Sequence, residues 1–261
     1  MEFFKKFHPS YWMPELASAH GHQIDNLIVW IHILMYVLFI GWSIYFIIAL
    51  IKFRQSKNPK ADHIGAKTHV STYLEIGVAM FEAVLLIGFS IPFWANVVNA
   101  VPSGDDVLKI DVIGEQFAWN FHYTGPDGKF GRKDIKFVVP GVNGLGIDPD
   151  DPNGKDDIFT VNELVVPIDQ TIVMNVSAKD VIHSFFLPQM RVKQDAIPGM
   201  VAPLSFKAIK TGKWDIACAQ LCGSGHYGMK GEYSVVTAEE YQAWMQNKIN
   251  EASGVGGDDE F

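Results

Sequence analysis

The sequence predicts a protein in two parts: a two-helix transmembrane hairpin followed by an all-β domain, either a sandwich or a Greek-key barrel. Three observations lead there. Residues 27–51 carry no acidic or basic side chain except His32, and one helix needs a run of that length to cross a hydrocarbon core about 30 Å thick. A second apolar run, over 75–98, is long enough to cross as well. Beyond it the chain breaks into short apolar or alternating stretches separated by Gly, Pro, Asp and Asn, as strands and turns of an all-β domain do.

The overall composition, 48% hydrophobic with a net charge of -8, does not separate a soluble chain from a membrane one; the uneven spread of apolar residues does. Residues 1–26 precede the first helix. Its apolar run is too long and begins too late for a signal peptide. The connecting loop, 52–74, holds Lys52, Arg54, Lys57, Lys60 and Lys67 against the single acid Asp62. By the positive-inside rule this loop is cytoplasmic, which puts both termini and the β domain on the extracytoplasmic face. Pro92 should kink the second helix near its far end. His32 reads as a packed, neutral histidine at a helix interface. Glu82 is costly two turns into a membrane unless it is protonated or faces a protein partner.

The β domain is expected over 105–240, with strand-like stretches at 107–113, 135–139, 163–166, 170–176 and 233–236. Residues 125–157 form a long polar excursion rich in Asp, Asn, Pro and Gly, either an ordered interaction loop or a solvated one. The final segment, 238–261, reads as a helix over 238–249 followed by an acidic tail, 253–261, that is expected to be disordered.

The chemistry concentrates in one stretch. The two cysteines of the chain lie four apart, and Cys218, Cys222, His226 and Met229 fall within twelve residues, with His183 upstream at an expected strand end. Thiolates and a thioether are soft ligands and imidazole is borderline, a mixture that suits copper better than zinc. A disulfide is the bland alternative in an extracytoplasmic domain. It leaves His226 and Met229 without a reason to be there. A mononuclear blue-copper site would need one cysteine only. The residue types favour copper and leave the disulfide, the mononuclear site and zinc as alternatives.

The pattern Cys-x3-Cys-x3-His-x2-Met, preceded by the VIHSF segment around His183, resembles the binuclear copper (CuA) motif of cytochrome c oxidase subunit II. The likeness extends to the helical hairpin, the aromatic segment from Gln116 to Tyr123 and the KQDAIPG stretch from Lys193 to Gly199. It implies a cupredoxin-like Greek-key β-barrel behind the hairpin, in the bacterial inner membrane. It implies two copper ions bridged by Cys218 and Cys222, one bound by His183 and one by His226, with Met229 and the backbone carbonyl of Gln220 as weaker ligands. The implied function is to accept electrons from a c-type cytochrome and pass them to haem in subunit I, where oxygen is reduced and protons are pumped. Partners would be that haem-bearing subunit, other oxidase subunits, a separate c-type donor and membrane lipid, with no nucleic acid. The catalytic oxygen site would lie in another chain.

Several residues depart from the family pattern. Gln220 stands where the family commonly has a glutamate that reaches a magnesium ion, and a neutral amide is a poorer Mg²⁺ partner than a carboxylate. Magnesium is therefore an open question, although Asp195 matches the family's aspartate nearby. In the aromatic segment, Phe117 replaces the tryptophan through which electrons are thought to enter, and Trp119 is expected beneath the copper loop or simply in the core. Glu75 matches a family glutamate at the mouth of a proton-uptake path; near a helix N-terminus an acid is also favourable against the dipole. Glu82, where the family has proline, is a second proton candidate. No Cys-x2-Cys-His haem-attachment motif occurs in the sequence, so the donor is expected to be a separate protein. A copper-free quinol oxidase subunit, a CuA domain of a nitrogen-oxide-reducing system and a copper chaperone are the competing functions.

Overall fold

The structure is a computed structural model that describes residues 12–60, 63–64, 68–98, 101–104, 106–139 and 143–252. The expected disordered tail 253–261, the first eleven residues, the domain onset at 105 and the loop charges Asp62 and Lys67 lie outside these residues. The chain forms two units, one helical and one built on β-sheet.

The helical unit holds α1 (Gly21–Lys52) and the pair α2 (Val70–Leu85) and α3 (Ile91–Val98). Both Gly21–Lys52 and Val70–Ala95 are long and apolar enough to cross a membrane. Each helix starts several residues before the apolar run read from the sequence, because polar residues such as Asn26 and Ser71 can continue a helix outside the apolar span. Between α2 and α3 the residues Leu86–Ser90 make a π-helical turn in which the Ile91 N–H donates to the Leu86 carbonyl. Pro92 follows directly. Proline removes a ladder donor and collides with the carbonyl four residues back, so the widened turn sits where that disturbance is relieved. His32 spends one ring nitrogen on the Ile28 carbonyl, 2.8 Å away in its own helix.

The β unit carries ten strands: β1 (Val107–Glu115), β2 (Ala118–Tyr123), β3 (Ile158–Val161), β4 (Glu163–Pro167) and β5 (Thr171–Ala178), then β6 (His183–Leu187), β7 (Val192–Ala196), β8 (Ala202–Lys207), β9 (Gly212–Cys218) and β10 (Lys230–Val236). They form two five-stranded sheets, ordered β3-β2-β1-β5-β8 and β4-β10-β9-β6-β7. The β1–β5 and β4–β10 pairs are parallel and the other named pairs antiparallel. The result is a cupredoxin-like sandwich. Its core follows the two-residue period of strands: Trp119, Phe121 and Tyr123 of β2 point inward with Ile110 and Val112 of β1, against Phe185, Leu187, Ile216 and Tyr233 of the other sheet. The aromatic rings meet edge to face, Trp119 on Phe185 at 5.2 Å and Phe121 on Phe185 at 6.0 Å. Helix α4 (Ala238–Ala252) closes the unit, its Trp244 against Tyr123.

Two segments pack onto this sandwich in ways the sequence did not disclose. Residues 14–20 add a strap along one side: the Ala17 N–H donates to Gln189 O, the Ile209 N–H to Ala17 O and the Ala19 N–H to Lys207 O, each at 2.9 Å. Ala17 and Ser18 are fully buried there, and Glu15 accepts from the Trp214 indole at 2.7 Å.

The second segment is the polar excursion 125–157, whose described residues are ordered against the outer face of the first sheet. The stretch 135–139 is not a strand. Ile135–Phe137 form a single 3-10 turn after Asp134, whose side chain accepts from the Lys136 N–H, and Ile135 is 88% exposed. The excursion offers those apolar residues no second strand of the sheet to pair with. Its anchor is His122 on β2, fully buried, with one nitrogen 2.6 Å from Asp157 and the other 3.8 Å from Asp111 on β1. Lys133 from the excursion pairs with Asp111, and Asn175 of β5 donates to the same carboxylate at 2.8 Å. Burial alone would depress the His122 pKa, but the Asp111 and Asp157 carboxylates outweigh it and hold the value above the ordinary histidine range.

A raised native pKa means that the protonated ring contributes stability fully below the unfolded value of about 6.5 and loses it as pH climbs through the native value. Thermal unfolding of the full chain in detergent should therefore show falling stability of the β unit above that range. His122→Gln should flatten this slope. His122→Ala should cost about 3 kcal/mol at pH 6, because it strands buried carboxylates.

Candidate metal centre

The site grows out of one end of the sandwich, where β9 stops. Cys218 ends that strand, and the chain then turns through Cys222 and a 3-10 turn at His226–Gly228 before β10 starts at Lys230. Gly223, at φ +136°, takes a backbone conformation that side chains beyond glycine rarely tolerate. The turn brings its polar atoms together: Cys218 Sγ lies 3.8 Å from Cys222 Sγ, and Cys222 Sγ lies 3.7 Å from both His226 Nδ1 and Met229 Sδ. Cys218 Sγ also contacts the Gln220 carbonyl at 3.2 Å. The cysteines are free thiols, unbonded to one another. Burial, followed by the neighbouring Cys218, pushes the Cys222 thiol up to about 11, since two adjacent sulfurs resist carrying charge together.

The second half of the site arrives from β6, which pairs with β9 through Phe185 and Cys218. His183 begins β6 and is fully buried, with a ring nitrogen within 4.8 Å of both cysteine sulfurs. Among the described residues, His183, Cys218 and Cys222 are the one group of three or more such side chains that could hold a metal ion. The Nε2 of His183 bonds Asp180 at 2.9 Å, whereas Nδ1 is buried with no hydrogen-bond partner. A buried unpaired ring nitrogen is costly. One beside two thiols is relieved by a metal, and thiolate with imidazole and thioether is the donor set that copper takes.

The turn between β1 and β2 covers the loop. Phe117 lies against the loop glycines so closely that a Cβ on Gly225 would sit 2.5 Å from its Cδ2, and one on Gly223 3.1 Å from its Cζ. Gln116 joins Phe117 through a cis peptide bond. The Gln116 side chain donates to the Cys222 carbonyl at 2.7 Å, and its N–H donates to Asp180 at the same distance. Burial works against ionisation of Asp180, yet donors from His183, Gln116 and Val181 hold its carboxyl below the ordinary range. Trp119 is fully buried under His183, with ring centroids 6.0 Å apart.

Of the residues singled out in the sequence, Cys218, Gln220, Cys222, His226, Met229, His183, Phe117 and Trp119 therefore meet in one place. Asp195 sits on β7 opposite Ser184, whose hydroxyl donates to it at 2.7 Å. Glu75 and Glu82 belong to the other unit. There Glu82 lines a cleft of about 390 Å³ between α1 and α2, with Leu34, Val37, Leu38, Tyr73 and Phe81 among its walls; Glu75 is exposed on α2. Asp180 and Gln116 escaped the sequence reading. The signal available was an aspartate three positions before the histidine, and such spacing is common without meaning.

Residues 108–236 match the family model described as cytochrome C oxidase subunit II, periplasmic domain. The chain is 30% identical over 251 residues to an alternative cytochrome c oxidase subunit 2 of Bradyrhizobium diazoefficiens, covering 94% of this chain and 86% of that one. It is 31% identical over 251 residues to cytochrome c oxidase subunit 2 of Synechocystis, covering 89% and 74%. The solved periplasmic domain of subunit II of cytochrome oxidase from Bradyrhizobium japonicum shares 34% identity over 58% of this chain and 98% of its own, with a TM-score of 0.42.

The contact between Phe117 and the loop glycines is open to test. Gly225→Ala should displace the ring and destabilise the loop by about 1–3 kcal/mol, read as a lower unfolding midpoint, with Gly228→Ala, which meets nothing within 4 Å, as the harmless control.

Proposed function

The chain belongs to the cytochrome c oxidase subunit II family, and on that premise we propose that its cysteine loop and His183 hold a two-copper centre through which electrons from a c-type cytochrome enter the oxidase. The observation that carries this reading is His183, whose Nδ1 is buried without a partner and whose ring lies with a nitrogen within 4.8 Å of two free thiols. As part of a haem-copper oxidase, the chain serves an oxidoreductase whose oxygen-reducing site lies in subunit I. It is a membrane protein.

Cys218 and Cys222 would bridge the two ions, His183 and His226 would bind one each, and Met229 and the Gln220 carbonyl would complete the set. Two bridging thiolates let one unpaired electron spread over both coppers, so the charge change on reduction is shared and little reorganisation accompanies it. The protein contributes rigidity. His183 and Cys218 stand on neighbouring strands, Met229 is 1% exposed and Cys222 4%, and the buried Trp119 packs beneath. Phe117 over the loop keeps solvent from one side and offers a ring on the way in. Because burial pushes the Cys222 thiol up to about 11, metal uptake must displace protons from the sulfurs, and metal affinity should rise with pH.

The basic loop residues Lys52, Arg54, Lys57 and Lys60 support a cytoplasmic loop, hence a copper domain on the outer face of a bacterial inner membrane. There it would meet a separate c-type donor, subunit I and the surrounding lipid. Glu75 and Glu82 are proposed to serve proton uptake, Glu82 from within the apolar cleft between the helices. Gln220 leaves magnesium without the family's carboxylate, with Asp195 the remaining acid nearby.

Electron paramagnetic resonance of the oxidised complex should give the pattern of one electron shared by two coppers, and Cys222→Ser should abolish it together with oxidation of a c-type cytochrome. A spectrum of isolated single coppers in the wild type would overturn the reading. Removing copper by chelation should stop donor oxidation, and adding copper back should restore it.

A further inference from the structure

We infer that Asp180 and Gln116 act as a pair of positioning residues, fixing which nitrogen of His183 is free for metal and tying the cysteine loop to that histidine. The inference rests on the reading of His183 as a copper ligand given above. Asp180 lies in the short connection between β5 and β6, with its side chain one-third exposed. One carboxylate oxygen takes the His183 Nε2–H at 2.9 Å and the Val181 N–H at 2.7 Å, and the other takes the Gln116 N–H at 2.7 Å. A neutral imidazole owns a single N–H, so giving it to Asp180 leaves Nδ1 as the lone-pair nitrogen. That is the buried nitrogen without a partner.

A carboxylate on the far side of a ligating imidazole fixes its tautomer and its plane and raises its basicity. Asp180 is aligned for all three. Its own alignment comes from Gln116, whose backbone holds the carboxylate while its side-chain amide donates to the Cys222 carbonyl at 2.7 Å. One residue at the β1–β2 turn thereby links the two halves of the site, which come from β6 and from the loop after β9. The two ties are separable. Truncating the Gln116 side chain releases the loop and leaves the backbone bond to Asp180, whereas truncating Asp180 frees the histidine and leaves the amide bond to Cys222.

The experiment uses the full-length chain in detergent with 15N-labelled histidine. Without metal, the wild type should show the His183 proton on Nε2, and Asp180→Ala, which removes three hydrogen bonds, should show a mixture of tautomers while still folded. Loaded with copper, Asp180→Ala should lose metal to a Cu(I) chelator at least about tenfold more readily than wild type and show altered nitrogen hyperfine coupling. Asp180→Asn keeps one oxygen for the His183 Nε2–H but turns an amide nitrogen, which cannot accept, toward the Gln116 N–H, so it should keep the Nε2 tautomer and lose part of the retention; should the alanine variant unfold, wild-type retention in Asp180→Asn overturns the inference. Gln116→Ala should weaken retention while leaving the tautomer as in wild type. The inference is overturned if Asp180→Ala keeps both the Nε2 proton and copper retention within about twofold of wild type. A wild type that shows the expected tautomer yet never yields the two-copper spectrum would instead overturn the copper reading itself.

Discussion

Two sulfur atoms 3.8 Å apart, that of Cys222 buried and that of Cys218 partly so, resist being charged together unless a cation lies with them, and the arrangement of the β unit turns on that constraint. A thiol pushed up to about 11 is inert as a ligand until a metal displaces its proton. The surroundings therefore have to hold the sulfurs, imidazoles and thioether together before metal arrives. They do so by placing three of them at the ends of strands, Cys218 at the end of β9, His183 at the start of β6 and Met229 just before β10, with Cys222 and His226 in the loop between. A free loop would pay the ordering entropy when metal bound; this one has much of it removed in advance.

The sandwich supplies that rigidity through ordinary packing. Inward-facing aromatics of β2 interlock with Phe185 of the opposite sheet, two residues along β6 from His183, so core and site share the same layer of side chains. Large side chains packed to full burial leave little room for adjustment, which is what a centre meant to change charge without changing shape requires. The strap over residues 14–20 and the excursion over 125–157 brace the outside. The excursion is tied down by a buried histidine between carboxylates, and a cluster of that kind is costly to break rather than intrinsically strong.

The two acids of the helical unit follow a different logic. Glu82 lines an otherwise apolar cleft, where an ionised carboxylate would be expensive, while Glu75 is exposed as the sixth residue of α2, past the first turn to which the helix dipole's pull on an acid is confined, because the helix starts earlier than the apolar run. The same residue type is therefore set in two environments.

Much was legible in the sequence because it depends on local composition. The length of an apolar run is enough to define a membrane helix, since the bilayer imposes the length. The proposed metal ligands of one loop were legible because Cys218, Cys222, His226 and Met229 crowd into a single turn. Periodicity found β1, β4, β5 and β10 and left the other six strands undrawn, β2 with its core aromatics among them. It failed at 135–139, because an apolar run becomes a strand only if a neighbouring strand offers its backbone, and no short window contains that information.

What the sequence alone determined is thus the two apolar helices, the all-β class and the cluster of soft donor side chains, all carried by residues close together in the chain. The tertiary structure decided that Nδ1 of His183 is without a partner, that Asp180 bonds its Nε2, that Gln116 bonds both Asp180 and the Cys222 carbonyl, and that Phe117 rides on the loop glycines. Those features need strands far apart in sequence to lie side by side, and a hydrogen bond about 3 Å long across such a junction leaves no trace in either segment read alone.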